Sequence, residues 1–232
     1  MVMRRLIMGK KQDVIPPEYT VYDYMYCASG KLVYETGRIN LKKFDNLDGF
    51  SFEYKMYVNN SVGQGIFIWG SRTDSNFLSS FALYMMYQNA NRIRVVDHNV
   101  AFEYTTNIPK MRPFTVKYTN SSTSPSYLQV DDNPVMACEW ENGRITPNPI
   151  ALFSNVVPEQ SNNLTTNHRM YNLKLYDENM VLVGDYIPCT KVINGATRIG
   201  LYDKVTREFY TSSTASYTTV GNSNCAYRVA NE

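Results

Sequence analysis

Histidine is almost missing from this chain, with His98 and His168 alone, and its four cysteines stand far apart at positions 27, 138, 189 and 225. No CxxC pair occurs and neither histidine neighbours a cysteine, so the usual ligand spacing of a zinc site is not met and no metal is expected. An excess of charge of one sign is also lacking: 23 basic against 21 acidic residues leave a formal net charge of +2. That balance sets up no broad field, and nucleic acid is not expected as a partner. Long apolar runs are absent. No stretch approaches the roughly 18 apolar residues of a membrane span. Leu6-Ile7-Met8, behind Arg4 and Arg5, falls short of the roughly 7–15-residue apolar region of a secretory signal. The expectation is a soluble chain with no membrane insertion and no export. GxGxxG, P-loop and HExxH motifs are missing too, and no cofactor is expected.

What the chain does have is length and tyrosine. At 232 residues and 44% hydrophobic it can bury a sizeable core, roughly 70% of the surface that an unfolded chain of this size exposes. Two disulfides or four free thiols satisfy the cysteine count, and because such a core needs no staples, free thiols are expected. Nineteen tyrosines, with aromatics at 13%, point to strands, since large flat and β-branched side chains suit a pleated, half-buried surface.

The pattern along the chain agrees. Phe50, Phe52, Tyr54, Met56 and Val58 alternate with polar or amphipathic residues, and similar alternation recurs at Phe81–Tyr87, Phe114–Tyr118, Tyr171–Leu175 and Met180–Leu182. Residues 65–70 are apolar on both sides, as in a strand covered on both faces. Turn signals separate these runs, among them Asp131 to Pro134, Asp177 to Asn179 and Asn194-Gly195. About a dozen strands and no helix predict an all-β, two-sheet jelly-roll sandwich. Residues 1–18, carrying Arg4, Arg5, Lys10 and Lys11 and closing on Pro16-Pro17, predict an extended N-terminal arm. The sandwich is expected over 19–220, with 221–232 as a C-terminal tail and Val156 to Asn167 as a long polar surface loop.

Catalytic chemistry is hard to find. Jelly-roll glucanases display acids at alternating strand positions with carboxyls about 5 Å apart. The nearest approach here is Glu139 and Glu141, which lack a third acid and run into a turn, while Asp131-Asp132 reads as a hairpin turn. His98 and His168 read as surface or turn residues, and Arg92 and Arg94 as one solvated strand face. No catalytic residue is therefore assigned, and no enzyme is expected. Trp140, flanked by acids beside a turn, is the candidate platform for stacking on a sugar.

The C-terminal third carries a more specific pattern. Asn172-Leu173-Lys174-Leu175-Tyr176-Asp177 is followed by Val181-Leu182-Val183-Gly184-Asp185-Tyr186-Ile187-Pro188-Cys189, then by Ile199-Gly200-Leu201-Tyr202-Asp203 and Glu208-Phe209-Tyr210-Thr211. These segments resemble the signature of concanavalin A-like (laminin-G-like) jelly-roll domains of tailed phages of gut bacteria, crAss-like phages among them. Tyr34-Glu35-Thr36-Gly37 and Leu128-Gln129-Val130-Asp131 resemble the same family near its start and middle. The sequence departs from it at Asp132, where glycine is usual, and at Cys27. Locally, Pro188 is expected to end a strand and Cys189 to sit at the bend beyond it.

The resemblance implies a setting: a virion structural protein, a head fibre, capsid decoration or tail-fibre component, made in the host bacterial cytoplasm and displaying a jelly roll toward host surface glycans. In that setting Arg4, Arg5, Leu6, Ile7, Met8, Lys10 and Lys11 are expected to anchor the arm to another virion protein, and self-association as a homotrimer or homodimer is expected. Two alternatives stand beside it, a bacterial cell-surface carbohydrate-binding lectin and a jelly-roll glycoside hydrolase.

Overall fold

The structure, a computed structural model, describes residues 14–28, 32–33, 37–41, 50–58, 66–71, 81–85, 92–97, 100–104, 108–120, 126–138, 149–153, 162–163 and 168–232. In chain order the strands are β1 (Tyr19–Val21), β2 (Tyr24–Cys27), β3 (Leu32–Val33), β4 (Ser51–Val58), β5 (Ile66–Ser71) and β6 (Phe81–Met85). They continue with β7 (Ile93–Asp97), β8 (Val100–Tyr104), β9 (Pro113–Thr119), β10 (Ser126–Val130), β11 (Met136–Cys138) and β12 (Ala151–Leu152). The last six are β13 (Asn162–Asn163), β14 (His168–Tyr176), β15 (Leu182–Ile193), β16 (Ala196–Asp203), β17 (Phe209–Tyr210) and β18 (Tyr227–Ala230).

Two antiparallel sheets build the sandwich expected from the sequence. The larger has 11 strands along the order β11-β10-β9-β4-β14-β15-β16-β17, with β2 on β14, β18 on β2 and β1 on β15; the smaller runs β12-β5-β6-β7-β8. The period of two decides which side chains lie between them. Phe52, Tyr54, Met56 and Val58 of β4, Phe114, Val116 and Tyr118 of β9, and Leu128 and Val130 of β10 are all buried. They share one core cluster with Leu83, Ile93, Val95 and Tyr104 of the smaller sheet. Burying each such side chain stabilises by about 1.5–3 kcal/mol.

Several local expectations change. Pro188 lies inside β15 instead of ending it. On one side β15 pairs with β14 as far as Tyr186↔Leu173, then with β1 from Cys189↔Val21. The Pro188 carbonyl accepts from Tyr22 N on that side at 3.0 Å. A strand residue's N and O point the same way, so the proline's missing donor faces the junction between β14 and β1, where no ladder bond is lost. Cys189 is consequently an in-strand core residue. Met180 belongs to a turn: its φ is 59°, its N–H donates to Asp177 O at 2.9 Å, and Asp177 Oδ1 accepts from Asn179 N and Val181 N at 2.9 and 2.8 Å. The Pro16-Pro17 pair opens a tight turn closed by Tyr19 N to Pro16 O at 3.1 Å rather than an extended spacer.

Residues 221–232 are no tail. β18 pairs with β2 over four residues, and Tyr227, fully buried, accepts from Ile39 N at 3.2 Å and donates to Gly37 O at 3.4 Å. Of the loop expected over 156–167, Asn162–Asn163 pairs with β3; the rest lies outside the described residues.

The resemblance signature also acquires physical reasons. Asn194 and Gly195, at φ 51° and 78°, make the two-residue turn that closes the long β15–β16 hairpin at Ile193↔Ala196. A Cβ on Gly200 would stand 2.3 Å from Tyr210 O, so only glycine lets β17 approach. Asp203, fully buried, accepts from Asp185 N at 2.9 Å, Val205 N at 3.0 Å and Thr206 Oγ1 at 2.9 Å. It thereby ties the turn after β16 back to β15.

Cys27, Cys189 and Cys225 are free thiols and all are buried. Burial pushes the Cys27 thiol well up and that of Cys189 to about 12. The native protein should therefore leave these three unmodified by a thiol reagent at neutral pH, and mass spectrometry after unfolding without reductant should find all four cysteines modified. A count of two or none after unfolding would reveal a disulfide.

Candidate functional site

Chemistry-bearing side chains concentrate on the outer face of the larger sheet, opposite the core. Alternation puts Tyr24 and Tyr26 of β2, Arg169 of β14, Lys55 and Tyr57 of β4, and Thr115 and Lys117 of β9 on that face. Register aligns them. One row runs Arg228, Tyr26, Arg169, Tyr57, Pro113 across β18, β2, β14, β4 and β9. A bulge between Met170 and Asn172 shifts the β14–β4 register and leaves Tyr171 on the same face.

Within this patch Arg169 is held between two rings: its guanidinium carbon lies 4.4 Å from the Tyr24 ring centre and 4.5 Å from that of Tyr57. Lys55 Nζ stands 5.1 Å from the Tyr171 ring centre. Tyr24 meets the rings of Tyr26 and Tyr171 at 6.0 and 5.7 Å, both tilted. Such contacts contribute about 0.5–2 kcal/mol each, and stacking fixes the guanidinium plane. The Tyr171 hydroxyl donates to Glu232 Oε1. Burial first and that bond second push it up to about 12, so it stays neutral at physiological pH.

Beside the rings the face continues into an open groove of about 570 Å³ lined by Arg112, Thr115, Lys117, Asp131, Asp132 and Asn133. Asp131 is engaged there, pairing with Arg112 at 2.9 Å and accepting from Thr115 N at 2.8 Å. Glu53 faces Lys174 at 3.9 Å. The arrangement offers flat apolar rings, oriented cations and hydrogen-bonding groups, the means of a binding surface. Among the described residues no group of three or more His, Cys, Asp or Glu could hold a metal ion.

The residues singled out from the sequence fall elsewhere. Trp140, Glu139 and Glu141, His98, and Arg4, Arg5, Leu6, Ile7, Met8, Lys10 and Lys11 lie outside the described residues. Arg92 and Arg94 share Glu103 on the next strand at 2.9 and 3.4 Å, which gives their strand face an ion-pair cluster. His168, expected at the surface, is buried at the start of β14, its ring 4.7 Å from that of Phe153. A polar loop before it hid that burial. The ring and cation patch was missed because Tyr24, Tyr57 and Arg169 are brought together only by strand pairing; the one available signal was polar-face tyrosine on alternating strands.

No protein-family model and no curated protein matches this sequence. Among solved structures, the CBM40 of a Ruminococcus gnavus IT-sialidase bound to α2,3-sialyllactose is 10% identical over 68% of this chain and 90% of its own, with a TM-score of 0.49. A Congerin II double mutant is 15% identical over 60% of this chain and 97% of its own, TM-score 0.37. The carbohydrate-binding module CBM66 from Bacillus subtilis is 10% identical over 67% of this chain and 96% of its own, TM-score 0.38. Likeness at this level speaks to neither ligand nor activity, and the jelly-roll assignment stands on the strand pairing.

Proposed function

We propose that this protein is a non-enzymatic, glycan-binding jelly roll displayed on a phage particle as a head fibre, capsid decoration or tail-fibre component. The observation that carries the binding part is the outer-face patch, where Tyr24, Tyr26, Tyr57 and Tyr171 surround Arg169 and Lys55. Tyrosine rings on a rigid sheet suit sugar faces because they lose little entropy on binding and carry a hydroxyl for the sugar edge. Asp131 and Glu53 on this face are committed to neighbouring cations, which leaves Asp132 as the acid lining the groove without an ion pair among the described residues, and a single acid is not the pair that glycoside hydrolysis needs.

The virion setting rests on the resemblance of residues 172–211 to phage jelly-roll domains. In that setting residues 1–18 attach the sandwich to another virion protein through Arg4, Arg5, Lys10 and Lys11 and the apolar Leu6, Ile7 and Met8, and the protein assembles as a homotrimer or homodimer. The test has two arms. Glycan-array binding by the wild type should be lost in the Tyr24→Ala, Tyr57→Ala double variant, with no hydrolysis of any bound polysaccharide. Mass spectrometry should find the protein in purified phage particles, and deletion of residues 2–16 should leave a folded domain that no longer joins them. Binding without incorporation, on a bacterial surface instead, would favour the lectin alternative, and turnover would favour the hydrolase.

A further inference from the structure

Arg169 occupies a position that a neutral sugar does not require. Its guanidinium carbon lies 4.4 Å from the Tyr24 ring centre on the β2 side and 4.5 Å from the Tyr57 ring centre on the β4 side, so rings flank it and its N–H groups are what a ligand would meet. The Tyr171 hydroxyl on the same patch gives its proton to Glu232. A guanidinium held in one plane with its edge open is the donor geometry that matches a planar carboxylate.

Among the described residues no acid pairs directly with that charge, and the Glu232 carboxylate stands in the same patch on the Tyr171 hydroxyl. Lys55, the most exposed residue of β4, lies over Tyr171 on the same patch. Glu53 faces Lys174 and Asp131 pairs with Arg112, while Asp132, in the groove, has no ion-pair partner among the described residues. Neither Arg169 nor Lys55 forms an ion pair with another described residue. Lys117, opposite Glu53 on β9, lines the groove with Arg112, where Asp131 and Asp132 balance the two cations, so the excess of positive charge is confined to Arg169 and Lys55. Two cations on a bed of tyrosine rings fit an acidic sugar better than an uncharged glycan.

We infer that the ligand of this patch is a carboxylate-bearing oligosaccharide, whose carboxylate meets the Arg169 edge and the Lys55 ammonium while its sugar faces lie on Tyr57 and Tyr24. This inference rests on the glycan-binding reading above and adds the class of sugar and the residue that selects it. Arg169 here is the specificity-determining residue and the rings are the platform.

The experiment compares each of three acidic polymers, polygalacturonate, alginate and polysialic acid, with its carboxyl-reduced form, alongside a neutral glycan array and an oligothymidylate, using the full chain. The expected result is that at least one acidic polymer binds and that its reduced form binds about tenfold more weakly or worse. Its affinity should fall as salt rises. Arg169→Gln should abolish the preference for the acidic form. Arg169→Lys, which keeps charge but not the planar fork, should recover only part of it, with an unchanged melting temperature showing that the sheet is intact. Lys55→Gln should weaken binding of the acidic polymer more than binding of its carboxyl-reduced form. Equal binding of acidic and reduced polymers, or binding of neutral glycans alone with the same dependence on Tyr57, would overturn the inference and leave the glycan reading standing. No glycan binding of either kind would overturn both, as would tighter binding of the oligothymidylate through the same residues.

Discussion

Between pH 6.5 and 3 this protein should lose stability by about 1.4 kcal/mol per pH unit through one residue, His168. Its ring is fully buried against Phe153, and burial lowers its pKa from 6.5 to about 3. In that window the unfolded chain binds a proton that the folded chain does not, so folding becomes less favourable as pH falls. Above the window both states are neutral, and below it both are protonated, so the slope vanishes at either end. The cumulative effect is several kcal/mol, a large part of the ordinary stability of a domain. Urea unfolding of the wild type and a His168→Gln variant across this range checks it. The variant can start less stable because it loses packing against Phe153, but the difference between the two curves should shrink steadily as pH drops. Parallel curves would mean that His168 is already protonated in the fold or is solvent-accessible there.

Asp203→Ala should destabilise the protein by about 2–5 kcal/mol, the cost of leaving two buried backbone N–H groups and a hydroxyl without their acceptor. The carboxylate takes three hydrogen bonds, from Asp185 N, Val205 N and Thr206 Oγ1, and has no exposed surface. Two of the orphaned groups are backbone donors, each costing about 1–3 kcal/mol when left buried without a partner. The consequences reach β15, because Lys204 N donates to Asp185 O at 2.9 Å and Lys204 Nζ pairs with Asp185 Oδ2 at 2.8 Å. Asp203→Asn keeps one acceptor oxygen and presents an amide where Thr206 donates, so it should fall between the alanine variant and the wild type. Denaturant midpoints rank the three. An alanine variant within about 1 kcal/mol of wild type would show that the turn after β16 finds other partners.

These two residues also show how much of the fold was legible in the sequence. The strands read most easily where one face is buried and the pattern repeats: β4, β9 and β10 follow the alternation through Phe52, Tyr54, Phe114, Val116 and Leu128. The β15–β16 hairpin is announced by Asn194-Gly195, whose left-handed conformation few other pairs adopt without strain. Pairing that is settled far away in sequence was not legible. Pro188 looks like a strand end until β14 and β1 are seen to exchange places beside it, and β18 looks like a tail until Tyr227 is found bonding to segment 37–39. His168 reads as a loop residue because its neighbours before it are polar, while its environment comes from Phe153.

The candidate site was less legible still. The signature that carried the resemblance, from Gly200 to Asp203, is occupied with holding β15, β16 and β17 together, so it reports the fold and is silent about a ligand. The ring and cation patch draws on residues 24–26, 55–57 and 169–171, three stretches with no motif of their own. Each reads as an ordinary polar strand face, and only the row Tyr26, Arg169, Tyr57 across three strands makes a surface.

The most direct test of that surface is the tyrosine ring proton spectrum of the labelled protein during titration with an oligosaccharide that it binds. Ring protons report contact with a sugar face at once, and the three half-buried rings of the patch are distinguishable by single Tyr→Phe variants. The account predicts that Tyr24, Tyr26 and Tyr57 shift together and saturate with one affinity, while the core rings of Tyr54, Tyr118 and Tyr227 do not move. Saturable binding that leaves those three unchanged and shifts Trp140 instead would contradict it and place the ligand elsewhere on the molecule.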